Sequence, residues 1–109
     1  MKSEVYFADE KLRKTYEALA EAKTEKQLLH KWITQAIIAL TNNAFCGTAI
    51  PKTLIPKIYF KNYKIDNLWK YDLPQGWRLI YSVGKKEIQI VTIILEWFTH
   101  KEYEKRFKY

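Results

Sequence analysis

LWKYDLPQGWRLIYSVGKKEIQIVTIILEWFTHKEYEKRF, residues 68–107, is the stretch whose reading decides the fold. It is rich in aromatic and β-branched residues, which suit a pleated, half-buried surface, and it is punctuated by PQG at 74–76 and GKK at 84–86. Three strands separated by tight turns are predicted, LWKYDL, WRLIYSV and EIQIVTIILEWF, in an antiparallel meander. Successive side chains alternate along a strand, so Trp77, Leu79, Tyr81 and Val83 take one face and Arg78, Ile80 and Ser82 the other. Lys70 and Asp72 alternate likewise on the preceding strand, and Lys70 and Arg78 are expected to share an exposed face. Thr99 and Glu102 form a capping box that opens a basic C-terminal helix, HKEYEKRFKY.

Upstream, Val5 to Phe7 is a short apolar run that ends at Asp9, a credible N-cap. Leu12, Tyr16, Leu19 and Ala20 then recur on one helical face. Thr24 followed by Gln27 has the spacing of a second capping box. After it Leu29, Trp32, Ile33, Ala36, Ile37 and Leu40 give the clearest helical stripe in the chain. Asn42 and Asn43 tolerate the left-handed conformation that closes helices, and the TEK segment at 24–26 is short enough to make the two helices an antiparallel hairpin. From Ala44 to Asn67 the periodicity is lost around Pro51 and Pro56, which predicts an irregular connection with one helical turn near Lys57 to Asn62. The expected fold is therefore a single α+β domain over residues 1–109. An N-terminal strand and a helical hairpin pack on a mainly antiparallel sheet with a three-strand meander, and a short helix ends the chain.

Composition supports folding and narrows function. With 48% hydrophobic and 28% charged residues, three Gly and three Pro, the chain is neither disordered nor low-complexity. The run from Ile88 to Leu95 falls far short of the ~20 apolar residues a bilayer span needs, so no membrane partner is expected. MKSEVYFADE lacks the apolar core of a secretory signal, and Cys46 is the only thiol, so a reducing, cytoplasmic location is expected. Net charge is +7, and residues 51–109 carry most of it, with twelve Lys/Arg against six Asp/Glu. The same half holds 12 of the 17 aromatics, so cations and flat rings are interleaved where RNA or DNA phosphates would be paired and bases stacked. The alternative is a basic solvated surface over an aromatic core.

His30 and His100 lie on different elements and Cys46 has no partner at ligand spacing, so no metal site is expected. Three isolated glycines make no phosphate-cradling loop, and no nucleotide cofactor is expected. Arg78 on a rigid strand suits bidentate phosphate recognition; the alternative is a cross-strand ion pair with Asp72. His100, Tyr103 and Phe107 follow i, i+3 and i+7 along one side of the last helix. At a helix N-terminus His100 is disfavoured as imidazolium, which suits a general base. The alternative is a surface histidine beside two packing residues.

The element order, with LWKYDL before a tight turn, WRLIYSV after it and HKEYEKRF following the last strand, resembles the RelE/ParE superfamily of toxins from toxin-antitoxin systems. It is most similar to the RelE-like branch in a form common in archaea, with residue-level likeness from Asn67 to Phe107 and architectural likeness before that. The resemblance implies an mRNA endoribonuclease that works in the ribosomal decoding site and is held by a cognate acidic antitoxin, the free toxin being a monomer. It implies that Arg78 stabilises the scissile phosphate, that Lys70 is the basic residue of the preceding strand, and that His100 and Tyr103 assist proton transfer or stack on a base. Arg78, His100 and Tyr103 are the candidate catalytic residues, and Lys70, Arg78, Lys101 and Arg106 the candidate RNA contacts. Two positions depart from the family pattern: Asp72 stands where many members carry a further basic residue, and the His100 to Tyr103 spacing is short. The ParE branch shares the fold, inhibits gyrase and lacks the nuclease residues, which leaves a non-enzymatic binding module as the alternative.

Overall fold

A computed structural model describes residues 1–107. Five strands form one sheet in the order β1-β5-β4-β3-β2. They are β1 (Glu4–Phe7), β2 (Thr48–Ala49), β3 (Trp69–Asp72), β4 (Arg78–Lys86) and β5 (Gln89–Phe98). β1 runs parallel to β5 and every other pair is antiparallel. Helices α1 (Glu10–Leu19) and α2 (Thr24–Asn42) follow β1, α3 (Lys57–Asn62) lies in the long connection, and α4 (His100–Phe107) follows β5. The α+β architecture, the helical hairpin, the meander and the short last helix are all present.

Local chemistry explains most boundaries. Asp9 caps α1, its carboxylate accepting from Leu12 N at 2.7 Å. Thr24 does not cap α2. The helix already includes it, the cap position falls to Lys23 without a side-chain bond, and the hairpin turns before the TEK segment. Nor does α2 close through a left-handed residue: Asn43 is extended at φ −156°, and its Oδ1 accepts from Phe45 N at 3.1 Å. The second meander turn also lies later than the GKK punctuation suggests. β4 runs on through Lys86, and Glu87 and Ile88 make a two-residue turn with Glu87 at φ 57°.

Two apolar clusters sit on opposite faces of the sheet. On one, Leu29, Ile33, Ala36 and Leu40 of α2 are buried against Leu73, Leu79, Tyr81 and Ile94. Trp32, Ile37, Trp77 and Val83 flank this cluster partly buried, so the helical stripe docks where its periodicity directs it. On the other face Tyr103 and Phe107 of α4 join Tyr59 of α3, Ile50, Ile55 and Leu68 of the connection, and Ile80, Leu95 and Phe98. A bulge between Ile80 and Tyr81 leaves Leu95 as an extra residue of β5. Ile94 therefore serves the first cluster while Leu95 serves the second. The face carrying Lys70 and Arg78 is thus not exposed as the alternation alone suggested. It holds a second core, and these two cations lie at its margin.

Candidate functional site

Register assembles the site before any side chain is considered. Asp72 lies directly opposite Arg78, Lys70 opposite Ile80, and Arg78 opposite Phe98 on its other side. Lys70, Asp72 and Arg78 are therefore neighbours on one face. α4 begins immediately after β5. Thr99 Oγ1 accepts from Glu102 N at 3.3 Å, as the capping signature predicts. The PQG turn sits against this start. Gln75 and Gly76 both have positive φ, and a Cβ on Gly76 would meet His100 Cβ at 3.0 Å, so this glycine serves both the turn and the approach of α4.

One helical turn past His100, Tyr103 is buried, its ring stacked on Phe107 at 4.5 Å and tilted on Phe98 at 6.2 Å. Arg78 Cζ is 5.6 Å from the Tyr103 ring centroid and Lys70 Nζ 6.0 Å, within the outer range of cation–π attraction. Tyr103 is therefore a shared platform for two cations. Arg78 Nη2 lies 3.1 Å from His100 Nδ1. A guanidinium only donates, so Nδ1 must accept. The imidazole proton then resides on Nε2, which faces Glu104 Oε1 at 2.5 Å. Glu104, His100 and Arg78 form a continuous chain in which the carboxylate orients the ring and the Nδ1 lone pair accepts from the guanidinium.

Asp72 occupies the other side of the cations. Its Oδ1 is 3.0 Å from both Lys70 Nζ and Arg78 Nε, and its Oδ2 is 3.3 Å from Lys70 Nζ. The cross-strand ion pair weighed from the sequence is thus formed. The Arg78 Nε contact is a charge contact only, because that buried N–H lacks the alignment of a hydrogen bond. Side-chain exposure is graded: 16% for Arg78 and 20% for Lys70, but 54% for His100, 57% for Asp72 and 66% for Glu104. The permanent cations are shielded, and His100 and the acidic groups form the rim.

The remaining basic candidates differ. Lys101 is exposed on α4. Arg106 is held 2.6 Å from Glu96 and 3.4 Å from Glu102, with its guanidinium 5.1 Å from the Phe98 ring. Burial tends to lower the Arg106 pKa, but Tyr59 and Glu96 outweigh it and the net shift is upward. Tyr59 is raised chiefly by burial and then by Glu96. Arg106 is in these contacts a fastener between α4 and β5. Cys46 is exposed at the end of the α2 connection, and partial desolvation pushes its thiol up, opposite to the shift an activated thiolate needs.

Among the described residues no group of three or more His, Cys, Asp and Glu side chains is placed to hold a metal ion, and no helix is long and apolar enough to cross a membrane. Among the open grooves away from the charged cluster, two share the Val83 to Gly84 edge. One of about 430 Å³ runs between Tyr63 and the Ser82 to Gly84 edge, and one of about 470 Å³ lies beside Phe45, Trp69 and Lys85. Neither groove is lined by Lys70, Asp72, Arg78, His100, Tyr103 or Glu104. Glu104 escaped the sequence reading although its i, i+4 spacing from His100 on a capped helix was the available signal. No protein-family model, curated protein or solved structure matches the chain.

Proposed function

We propose that the chain is a RelE-like toxin, an endoribonuclease that cuts ribosome-bound mRNA in the cytoplasm by attack of the RNA's own 2′-hydroxyl and is held by a cognate acidic antitoxin. The single observation that carries this reading is the 3.1 Å approach of Arg78 Nη2 to His100 Nδ1, with Glu104 fixing the opposite ring nitrogen. A phosphate that takes over Arg78 Nη2 brings the adjacent 2′-hydroxyl toward Nδ1, the unprotonated ring nitrogen, whose lone pair is released from the guanidinium as the phosphate binds. The 2′-oxygen then forms its bond to phosphorus as Nδ1 takes the proton. Glu104 stabilises the imidazolium so formed, and Arg78 and Lys70 stabilise the charge on the phosphoryl oxygens. The P–O5′ bond breaks with its electron pair on the 5′-oxygen, which takes a proton from the Lys70 ammonium. Tyr103 acts from beneath, its ring holding both cations in place, rather than by stacking on a base. Lys101, exposed on the same helix, extends the phosphate contacts along the rim.

A second reading has its own supporting observation. Lys70 and Arg78 are matched by Asp72 and Glu104, so the cluster has little net charge to offer a polyanion. This balance suits a ParE-like inhibitor or an inactivated toxin that works as a binding module in an antitoxin complex. The two readings separate on product chemistry. Ribosome-bound mRNA is incubated with the protein and the cut ends are mapped. The first reading expects cleavage leaving a 2′,3′-cyclic phosphate and a 5′-hydroxyl. Cleavage leaving a 3′-hydroxyl and a 5′-phosphate removes the mechanism, and absence of cleavage with inhibition of gyrase supports the second reading.

A further inference from the structure

We propose that Asp72 is a built-in competitor for the phosphate site: its carboxylate occupies the position that a substrate phosphate oxygen must take between Lys70 and Arg78, and it has to swing away before RNA binds. The inference rests on the reading of Arg78 and Lys70 as phosphate contacts, and it concerns how that site is kept closed.

Three observations converge. One carboxylate oxygen lies 3.0 Å from two separate cationic nitrogens, Lys70 Nζ and Arg78 Nε, an arrangement that a phosphate oxygen would reproduce. The carboxylate is the exposed member at 57%, whereas the cations beneath it are at 16% and 20%, so any anion arriving from solvent meets Asp72 first. The Arg78 Nε proton is buried yet makes no hydrogen bond, a standing cost that a better-aligned oxygen would relieve. Asp72 ends β3, just before the turn at Pro74, so its short side chain can rotate outward without disturbing the Asp72 to Arg78 register. Tyr103 keeps Lys70 and Arg78 in position when the carboxylate leaves.

The test reads binding without chemistry. Wild type, Asp72→Asn, Asp72→Thr and a control, Glu21→Gln, which removes one exposed negative charge at the α1 to α2 linker, are compared with two probes. Inorganic phosphate is titrated while the Arg78 Nε–H resonance is followed, and a 2′-O-methyl oligoribonucleotide is titrated by anisotropy at several salt concentrations. Both Asp72 variants are expected to bind phosphate and the oligonucleotide about three- to tenfold tighter, since a charge-assisted competitor is gone. Their log K against log salt slope should stay close to that of wild type, since the same phosphates are contacted once Asp72 has moved aside. Glu21→Gln should gain less than twofold. Unchanged phosphate affinity in both Asp72 variants overturns the inference, whether or not the wild type cleaves RNA. So does an equal gain in Glu21→Gln, or failure of both Asp72 variants to fold. A gain for phosphate without any RNA binding supports the competitor and removes the RNA reading.

Discussion

The two faces of the sheet are both covered by helix, yet they are built for different ends. Under α2 the contacts are almost wholly apolar, with Ile33, Ala36 and Leu40 fully buried over Leu79, Tyr81 and Ile94. Under α4 the apolar contacts of Tyr103 and Phe107 stop at a margin where Lys70, Asp72, Arg78, His100 and Glu104 meet. The α2 face therefore holds the fold together, and the α4 face spends part of its packing on holding charges in fixed positions. Tyr103 belongs to both tasks, because one side of its ring packs on Phe107 while the cations approach the ring from the sheet.

The comparison breaks most visibly at Ile33. It is wholly buried, so Ile33→Ala should cost about 2–5 kcal/mol in urea unfolding. Cleavage by the molecules that remain folded should be unchanged. A specific loss of activity at unchanged stability would erase the distinction between the faces. Tyr103→Leu sharpens it from the other side. Leucine keeps apolar contact with Phe98 and Phe107 but removes the ring beneath Arg78 and Lys70, each contact being worth about 0.5–1 kcal/mol at a part-exposed site. A stability loss of about 1–2 kcal/mol is expected together with roughly a tenfold loss of cleavage rate, whereas Tyr103→Phe, which keeps the ring beneath both cations, should retain most of the rate. The smallest effect belongs to Thr99→Ala, which removes the cap of α4 and should cost about 1 kcal/mol by thermal unfolding.

How much of this was legible follows from periodicity. The α2 stripe and the β3 to β5 meander repeat at the helical and strand periods, and their faces follow directly. The second core does not repeat. Ile50, Ile55, Tyr59 and Leu68 are scattered around two prolines, and they become a core only when α4 folds back over them, so the covering of the Arg78 face had no local signal. The two-residue strand β2 and the bulge at Leu95 are likewise set by tertiary pairing rather than by composition. Thr24 shows the converse error. It has the residue type and spacing of a cap, but the helix starts one residue earlier in register, where Lys23 ends the turn. In the site, strand alternation and helix spacing were enough to place Lys70, Arg78, His100 and Tyr103 near one another. The Asp72 to Arg78 pair was one of the readings that strand alternation offered, whereas the Glu104 to His100 contact was legible only as an i, i+4 spacing that the sequence reading did not use.

The most direct measurement is single-turnover cleavage by wild type and His100→Ala, with RNA affinity determined in parallel on the 2′-O-methyl oligonucleotide. If Nδ1 of His100 takes the 2′-hydroxyl proton, the variant should lose about 10² to 10⁴ in cleavage rate while binding within about twofold of wild type. A cleavage rate within about threefold of wild type would contradict the account, because the contact between His100 and Arg78 would then be a structural one.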